Sequence, residues 1–384
     1  MQTKLSTESP RPLALALGGL IAMAAAMGIG RFVYTPILPR MTEDLGMTKA
    51  TAGLLASANF LGYLAGALAA ATPVVRGSRR RWLLAGLAGS AVTTGAMTFA
   101  SSVAAFMALR FAGGVASALV LVFSSALVLD RLSQAGRPEL AAVHFAGVGA
   151  GIAVSAALVA AVAALGGGWR QLWLASGCVS LLALWGAATL IPERHDAPGT
   201  PRVPAKRDSR RLAALAAGYG LFGFGYVITG TFLVAIVRGS PAIRSLEPLV
   251  WIVVGMAGLP SVVFWTGVGE RIGIVRAFAL ACATEAAGVA ASVLWIAPAG
   301  VFLAAVLFGG TIMGITALGL IEGRRLTTGD PRGTLAILTA VFGIGQIVGP
   351  AFAGAVYDAT GSFLLPSMAA AGALLLGALL AVAG

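Results

Sequence analysis

Apolar runs of about twenty residues, each closed by a short polar turn, follow one another along the whole chain. They fall near residues 13–39, 49–71, 82–100, 103–129, 139–165 and 172–191, then near 211–236, 247–268, 275–296, 299–322, 332–357 and 363–383. A run of that length crosses a hydrocarbon layer as a helix. The pattern therefore predicts an all-α membrane protein with twelve transmembrane helices. The stretch between the sixth and seventh runs, PERHDAPGTPRVPAKRDSRR at 192–211, is proline-rich, charged and poor in apolar residues, and reads as a solvated linker. The expected organisation is a six-helix half at 1–191, a linker at 192–211 and a second six-helix half at 212–384.

The halves echo one another. GIGRFVYTPILP at 28–39 is matched by GFGYVITGTFL at 223–233, with Tyr226 where the first copy has Arg31. Gly147 and Gly149 pair with Gly343 and Gly345 at an offset of 196 residues, and the loop Val74–Arg80 aligns with Glu270–Arg276 at the same offset. A repeated six-helix unit with a pseudo-symmetric partner is a transporter construction.

Charge sharpens this picture. Only 10% of the 384 residues are charged and 58% are hydrophobic, against about 25% charged residues in soluble domains. The net charge of +12 lies almost wholly in the short loops. With the N-terminus inside, cytoplasmic segments hold 19 of the 26 lysines and arginines, outer segments hold 5, and Arg31 and Arg110 lie within spans. This bias predicts a multi-pass protein of a bacterial inner membrane with both termini and the linker cytoplasmic. The basic loops suit an anionic leaflet. Nucleic acid is not an expected partner, because basic and aromatic residues do not interleave. The first run is too long for a signal-peptide core and is read as a mature helix. Cys178 and Cys282 fall inside apolar runs and read as small buried hydrophobes.

An ionised side chain at bilayer depth costs roughly 2.5–3.5 kcal/mol, so Arg31 is the first candidate for chemistry. Gly28, Gly30, Pro36 and Pro39 are expected to loosen the helix around it. Arg31 suits an anionic substrate group or a proton-linked carboxylate; the alternative is a guanidinium satisfied by carbonyls of the loosened helix. Tyr34, one turn on, and Tyr226 offer a hydroxyl and a ring. Asn59 and Tyr63 share a face of the second run, and Asn59 touches either substrate or a neighbouring helix. Trp251 and Gln346 are analogous candidates in the second half, with an interfacial-belt role the alternative for Trp251. Gly349-Pro350 could bend the eleventh run. Glu285, the one carboxylate deep in a span, and His144 are candidates for proton coupling, each against a structural role. The glycines at 147, 149, 151, 343, 345 and 349 suit close helix packing. Gly218–Gly223 matches GxGxxG but follows a charged linker and lies within a span, so no dinucleotide site is expected. Neither a Walker A pattern nor a metal-ligand cluster is present, and no cofactor is expected.

Several stretches resemble the major facilitator superfamily. Glu270-Arg271-Ile272-Gly273 with Arg276 resembles its acid-Arg-x-Gly-basic loop, and the first half keeps Gly77, Arg79 and Arg80 but has Val74 in place of the acid. Arg110-Phe-Ala-Gly-Gly114 resembles the Arg-x-x-x-Gly motif of the fourth span, and Gly168-Trp169-Arg170 the turn before the sixth. GIGRFVYTPILP, ANFLGYLAGAL, LVWIVVGMAGLP and FGIGQIVGPAFAG resemble the YbfB/YjiJ-type bacterial branch. The resemblance implies the major facilitator fold, gating roles for the two loops, a proton-linked role for Arg110 set against a structural tie between helices, and a peripheral ninth helix.

The expected function is secondary transport by alternating access, acting on a small organic solute, anionic or carboxylate-bearing, coupled to protons or a counter-anion, in a monomer. Proton-driven export of amphipathic drugs is the alternative, and a non-transporting sensor the third. An enzyme is not expected, because no nucleophile and base converge in the spans.

Overall fold

The computed structural model describes residues 12–70, 72, 77–193 and 206–384. Lys4, Arg11, Val74, Arg76 and the linker residues from Arg194 to Arg202 lie outside the described residues. The first span is built in pieces: α1 (Pro12–Met23), a π-helical turn (Ala24–Ile29) and α2 (Tyr34–Leu45). Then follow α3 (Lys49–Ala70), α4 (Arg79–Ala96), α5 (Val103–Gln134), α6 (Ala141–Ala164) and α7 (Trp169–Leu190). After the linker come α8 (Ser209–Gly239), α9 (Glu247–Gly258), α10 (Ser261–Ile272), α11 (Ile274–Leu294), α12 (Pro298–Arg325), α13 (Arg332–Thr360) and α14 (Leu364–Ala383). Among the described residues, eleven helices are long and apolar enough to cross a membrane. A twelfth span forms if α9 and α10, bent by 45° at their junction, are counted as one.

That bend was not foreseen in the run 247–268. It follows from Pro260, which has no N–H to give to the preceding turn, while the Leu259 N–H bonds Met256 O at 3.3 Å. Conversely, Pro39 sits inside α2 and Pro350 inside α13, and each helix continues through its proline. The linker also ends sooner than its composition suggests. Asp208 accepts from the Arg211 N–H at 3.2 Å and caps α8. Just before it, the strand β1 (Lys206–Arg207) pairs antiparallel with β2 (Thr327–Thr328) in the α12–α13 connection. Gly218–Gly223 lies within continuous α8.

Pro12 and Gly384 mark one end of the bundle, the terminal end; the opposite, distal end carries the turns around Gly46, Gly166 and Gly361. The N-terminal helices meet the C-terminal ones from mid-bundle to the distal end. Thr35 Oγ1 donates to Gly230 O at 2.5 Å and Ser57 Oγ to Ile347 O at 2.6 Å. The Asp358 carboxylate caps α3 by accepting from the N–H groups of Lys49 (3.0 Å) and Ala50 (2.9 Å). Arg238 grips Glu43 through two hydrogen bonds, of 2.7 and 2.5 Å, and Glu247 through two more, of 2.9 and 2.8 Å. Beneath these ties, Gly149 of α6 lies against Gly255 and Gly258 of α9, and Gly53 of α3 against Pro350 of α13. The distal end is thus closed.

Cys282 is buried as expected, but Cys178 is exposed, because it lies on the outward face of α7. Gly114 shows what the close packing demands. A Cβ there would strike the Asn59 carbonyl and approach Tyr63 N to 2.7 Å. Gly114→Val should lower the thermal midpoint of the purified protein, at an overpacking cost of about 1–3 kcal/mol. Gly372→Ala, where an added Cβ meets nothing within 4 Å, should leave it within about 0.5 kcal/mol of the parent.

Candidate functional site

The site begins with an absent hydrogen. Pro36 has no N–H, so Phe32 O takes its bond from Thr35 N at 3.2 Å instead. The Arg31 carbonyl thereby loses its ordinary helical donor. Upstream, Gly30 N bonds Ala25 O (2.8 Å) and Phe32 N bonds Met27 O (3.2 Å), the wide pattern of a π-turn. The helix is loosened at Arg31, but the π-turn rather than Pro39 does the work.

Arg110 fills the gap. Its Nη1 and Nη2 donate to Gly30 O and Arg31 O, each at 3.4 Å, and its guanidinium lies 4.6 Å from the Tyr34 ring centroid. Asn59 Nδ2 in turn donates to Arg110 O at 2.8 Å, tying α3 to α5. The carbonyl-satisfied arginine weighed for Arg31 is therefore Arg110. Tyr34 belongs with it: its hydroxyl donates to Ala52 O at 2.8 Å and its ring leans on Trp173. The break in the helix turns Tyr34 away from the face that the regular spacing gave it.

Arg31 is 3% exposed, and its guanidinium lies 4.5 Å from the Phe60 ring centroid, 4.4 Å from that of Tyr63 and 5.5 Å from that of Phe32. Nε and Nη2 have no hydrogen-bond partner. None of the ion pairs among the described residues involves Arg31 or Arg110. A desolvated cation–π contact contributes about 2 kcal/mol, so two faces offset much of the cost of burying the charge. They leave Nε and Nη2 unspent, while the Tyr63 side chain is also within hydrogen-bonding reach of the guanidinium.

The other half supplies neutral groups. Tyr226, 2% exposed, stacks against both Phe222 and Phe342, which also stack on each other, and its hydroxyl accepts from Gln346 Nε2. Gln346 Oε1 is buried without a partner. Helix α13, which carries Phe342 and Gln346, packs with Gly343 against Leu64 of α3, next to Tyr63 in the chain, and so brings the stack towards the cage. Tyr219 extends the stack against Phe342, a contribution that sequence reasoning missed although its spacing from Phe222 and Tyr226 marks one helix face. Trp251 lies apart from this group. It is 1% exposed against Phe308, its indole N–H unpaired, and it sits inside the bundle because α9 packs tightly on α6.

Glu285 is fully buried between α11 and α12, with Oε2 accepting from Thr311 Oγ1 at 3.0 Å and Oε1 unpartnered. The ninth span, expected to be peripheral, thus has a buried face. His144, also fully buried, has Ser125 Oγ 3.4 Å from Nε2 and packs on Gly19, between α6, α5 and α1.

At the terminal end, Gly77 (φ +99°) and Gly273 (φ +94°) take the backbone conformation that side chains resist. Arg79 pairs with Asp130 at 3.5 Å, and Arg80 donates to Ile191 O (2.6 Å) and Ala188 O (2.7 Å), capping α7. Asp130 therefore supplies an acid to the loop copy that has Val74. In the second copy, Glu270, Arg271 and Arg276 make no ion pair among the described residues.

Two interleaved halves with a buried cation at mid-depth define a membrane transporter of the major facilitator fold. A solved structure of the nucleoside transporter NupG overlays 97% of this chain and 99% of its own, with a TM-score of 0.74 at 14% identity. The family described as uncharacterised MFS-type transporter YbfB matches residues 23–382, and the chain belongs to it. Among characterised sequences it is similar to a gallate transporter of Pseudomonas putida, 26% identical over 48% of this chain and 40% of the relative. It is also similar to a chloramphenicol resistance protein of Streptomyces lividans, 28% identical over 64% of this chain and 62% of that protein. The matches cover less than two thirds of either relative.

The two arginines should respond oppositely to removal. Arg110→Met strips donors from carbonyls buried at the helix break, an unsatisfied-group penalty of about 1–3 kcal/mol for each, and should lower the thermal midpoint clearly. Arg31→Met removes a charge with unspent donors and should leave the midpoint near that of the parent. Thermal unfolding of the three purified proteins checks the contrast.

Proposed function

We propose that this chain is a secondary active transporter of small anionic organic solutes, carboxylates foremost, with Arg31 as the group that binds the negative charge. One observation carries the reading: a buried guanidinium, caged by Phe60 and Tyr63, keeps two nitrogens without partners and has no carboxylate paired with it. A ligand carboxylate supplies what those nitrogens lack, through charge-assisted hydrogen bonds. Tyr63, Tyr226 and Gln346 form the rest of the site, with the Gln346 carbonyl open to a donor on the ligand. Asn59 and Tyr34 shape it indirectly through Arg110 and α3. Trp251 lines a crevice of about 220 Å³ with Pro36, Arg40 and Glu247 nearer the distal end and acts on the path rather than at the site. Transport of gallate by a relative is in keeping with a carboxylate substrate.

On this reading the protein lies in a bacterial inner membrane as a monomer, and the bias of the loop charges supports cytoplasmic termini. The distal end is then the outer face, and the described conformation is closed outward by the Arg238 and Asp358 ties. Alternating access exchanges these ties for contacts at the terminal end, where the Gly77–Arg80 and Glu270–Arg276 loops act. Cotransported protons or a counter-anion drive the cycle.

Export of amphipathic drugs is the second reading. The stack of Tyr219, Phe222, Phe342 and Tyr226 favours it, as does similarity to a chloramphenicol resistance protein. Thermal stabilisation separates the two. Organic acids such as benzoate and gallate should raise the unfolding midpoint, by about 2.7 kcal/mol of stability at a hundredfold excess over Kd. Arg31→Ala should abolish the response. Stabilisation by chloramphenicol or lipophilic cations alone, equal in parent and variant, would transfer the assignment to drug export.

A further inference from the structure

The distal end carries a half-open cavity of about 450 Å³ that both halves build. Pro39, Glu43 and Lys49 line it from the N-terminal half, and Arg238, Arg244 and Phe363 are among the residues that line it from the other. Its place in the fold follows from the repeat. Thr35 donates to Gly230 and Arg238 to Glu43, and each pair is 195 residues apart, the offset that sets Gly28 on Gly223. A residue that touches its own repeat-equivalent lies beside the axis relating the two copies. The cavity therefore stands on that axis, at the mouth of the seam between α2 and α8.

Its chemistry is that of an anion site occupied by an internal anion. Three cations line it, Lys49, Arg238 and Arg244, against the one carboxylate of Glu43. Lys49 and Arg244 make no ion pair among the described residues, and the Lys49 ammonium donates to Thr42 Oγ1 at 3.2 Å. Asp358 has both oxygens committed to the N–H groups of Lys49 and Ala50. Arg238 is the shared group. Glu247, in the same half and 14% exposed, accepts from Nη1 with both oxygens, at 2.9 and 2.8 Å. Glu43, across the seam and 50% exposed, accepts from Nε and Nη2 at 2.7 and 2.5 Å. The two acids are unequal. Glu247 neutralises Arg238 from within one half, whereas the half-exposed Glu43 can turn to water at little cost. Val293, Ile296 and Phe363 add an apolar lining.

We propose that this cavity binds a small organic carboxylate with an apolar body, and that the ligand takes the place of Glu43 on Arg238 and so unfastens α2 from α8. The exchange is like for like. One carboxylate leaves the Nε and Nη2 donors for water and another takes them, so Arg238 keeps its charge-assisted hydrogen bonds. Lys49 and Arg244 favour the incoming anion, and its apolar body leaves water for Val293 and Ile296. A bond between the halves is traded for one held by the C-terminal half alone. Ligand and latch exclude each other, so whatever weakens the latch strengthens binding. The site is separate from Arg31 and does not depend on the anion reading of that residue.

The test uses the full chain in nanodiscs, with radiolabelled benzoate as probe and benzylamine, the same ring with the opposite charge, as control. Arg31→Ala, which lacks the central cation, should still bind benzoate and not benzylamine. In that background, Lys49→Gln combined with Arg244→Gln should weaken binding by about tenfold. Glu43→Gln, which removes the competing carboxylate, should tighten it by at least about fivefold. Spin labels at the exposed positions of Asp44→Cys and Ser245→Cys, with the exposed native thiol removed by Cys178→Ser, read the latch. Benzoate should populate a longer distance across the seam, and Glu43→Gln should populate it without ligand. Loss of benzoate binding in Arg31→Ala, equal binding of benzylamine, unchanged affinity in either set of variants, or a label distance that benzoate leaves unmoved would each overturn the proposal. A parent that binds benzoate with the stoichiometry and affinity of Arg31→Ala counts against the anion reading of Arg31 alone.

Discussion

The amide hydrogen that Pro36 lacks is the constraint from which the centre of this protein follows. Without it, Phe32 O takes the Thr35 N–H, Arg31 O is stripped of its helical donor, and the ladder upstream widens into a π-turn. Bare carbonyls in an apolar interior must be satisfied, because water is absent. Arg110 meets that need from α5, four helices along the chain, and Asn59 fixes the backbone of Arg110 from α3. One missing donor thus organises three spans. The same rearrangement separates the two arginines: Arg110 donates to the backbone, and Arg31 is left among aromatic rings with Nε and Nη2 unpaired.

Close approach of helices does the remaining work. Without a hydrophobic driving force inside a bilayer, helices associate through packing and polar ties. Gly53, Gly114, Gly149 and Gly255 allow backbones to meet where any side chain would hold them apart. The pairs α3–α13 and α6–α9 close the distal end, and the carboxylates of Asp358 and Glu43 lock it. Most of these polar ties are few and local, which suits an interface that has to open and re-form rather than a permanent core.

The spans were legible because the bilayer imposes one length on every helix, and a run of apolar residues cannot hide. The special status of Arg31 was legible for the same reason. What a run of letters does not carry is which helix faces which. That Tyr34 bonds Ala52, that Arg80 caps α7, or that Asp130 replaces the acid absent at Val74 depends on contacts between segments 18 to 111 residues apart. Proline was also ambiguous. Pro36 and Pro260 break their helices while Pro39 and Pro350 do not, and the difference lies in what the preceding carbonyls find to bond. Trp251, a site candidate with an interfacial belt as its alternative, is buried against Phe308 because α9 packs on α6.

The asymmetry between the repeated halves bears most directly on function. At matched positions one half places a permanent cation, Arg31, and the other a neutral hydroxyl, Tyr226, already engaged by Gln346. Had the second half placed a carboxylate there instead, the two would have paired, and a ligand would have had to displace an internal partner as strong as itself. The deep carboxyl is instead set back on α11, where it accepts from Thr311 and, among the described residues, makes no ion pair with the guanidinium. A binding site must attract without satisfying itself, and a carrier must also release. In the proposed site, a cation held by aromatic faces would meet both demands. Ring faces stabilise the charge and leave Nε and Nη2 without partners, which is the capacity that the proposed anion would use.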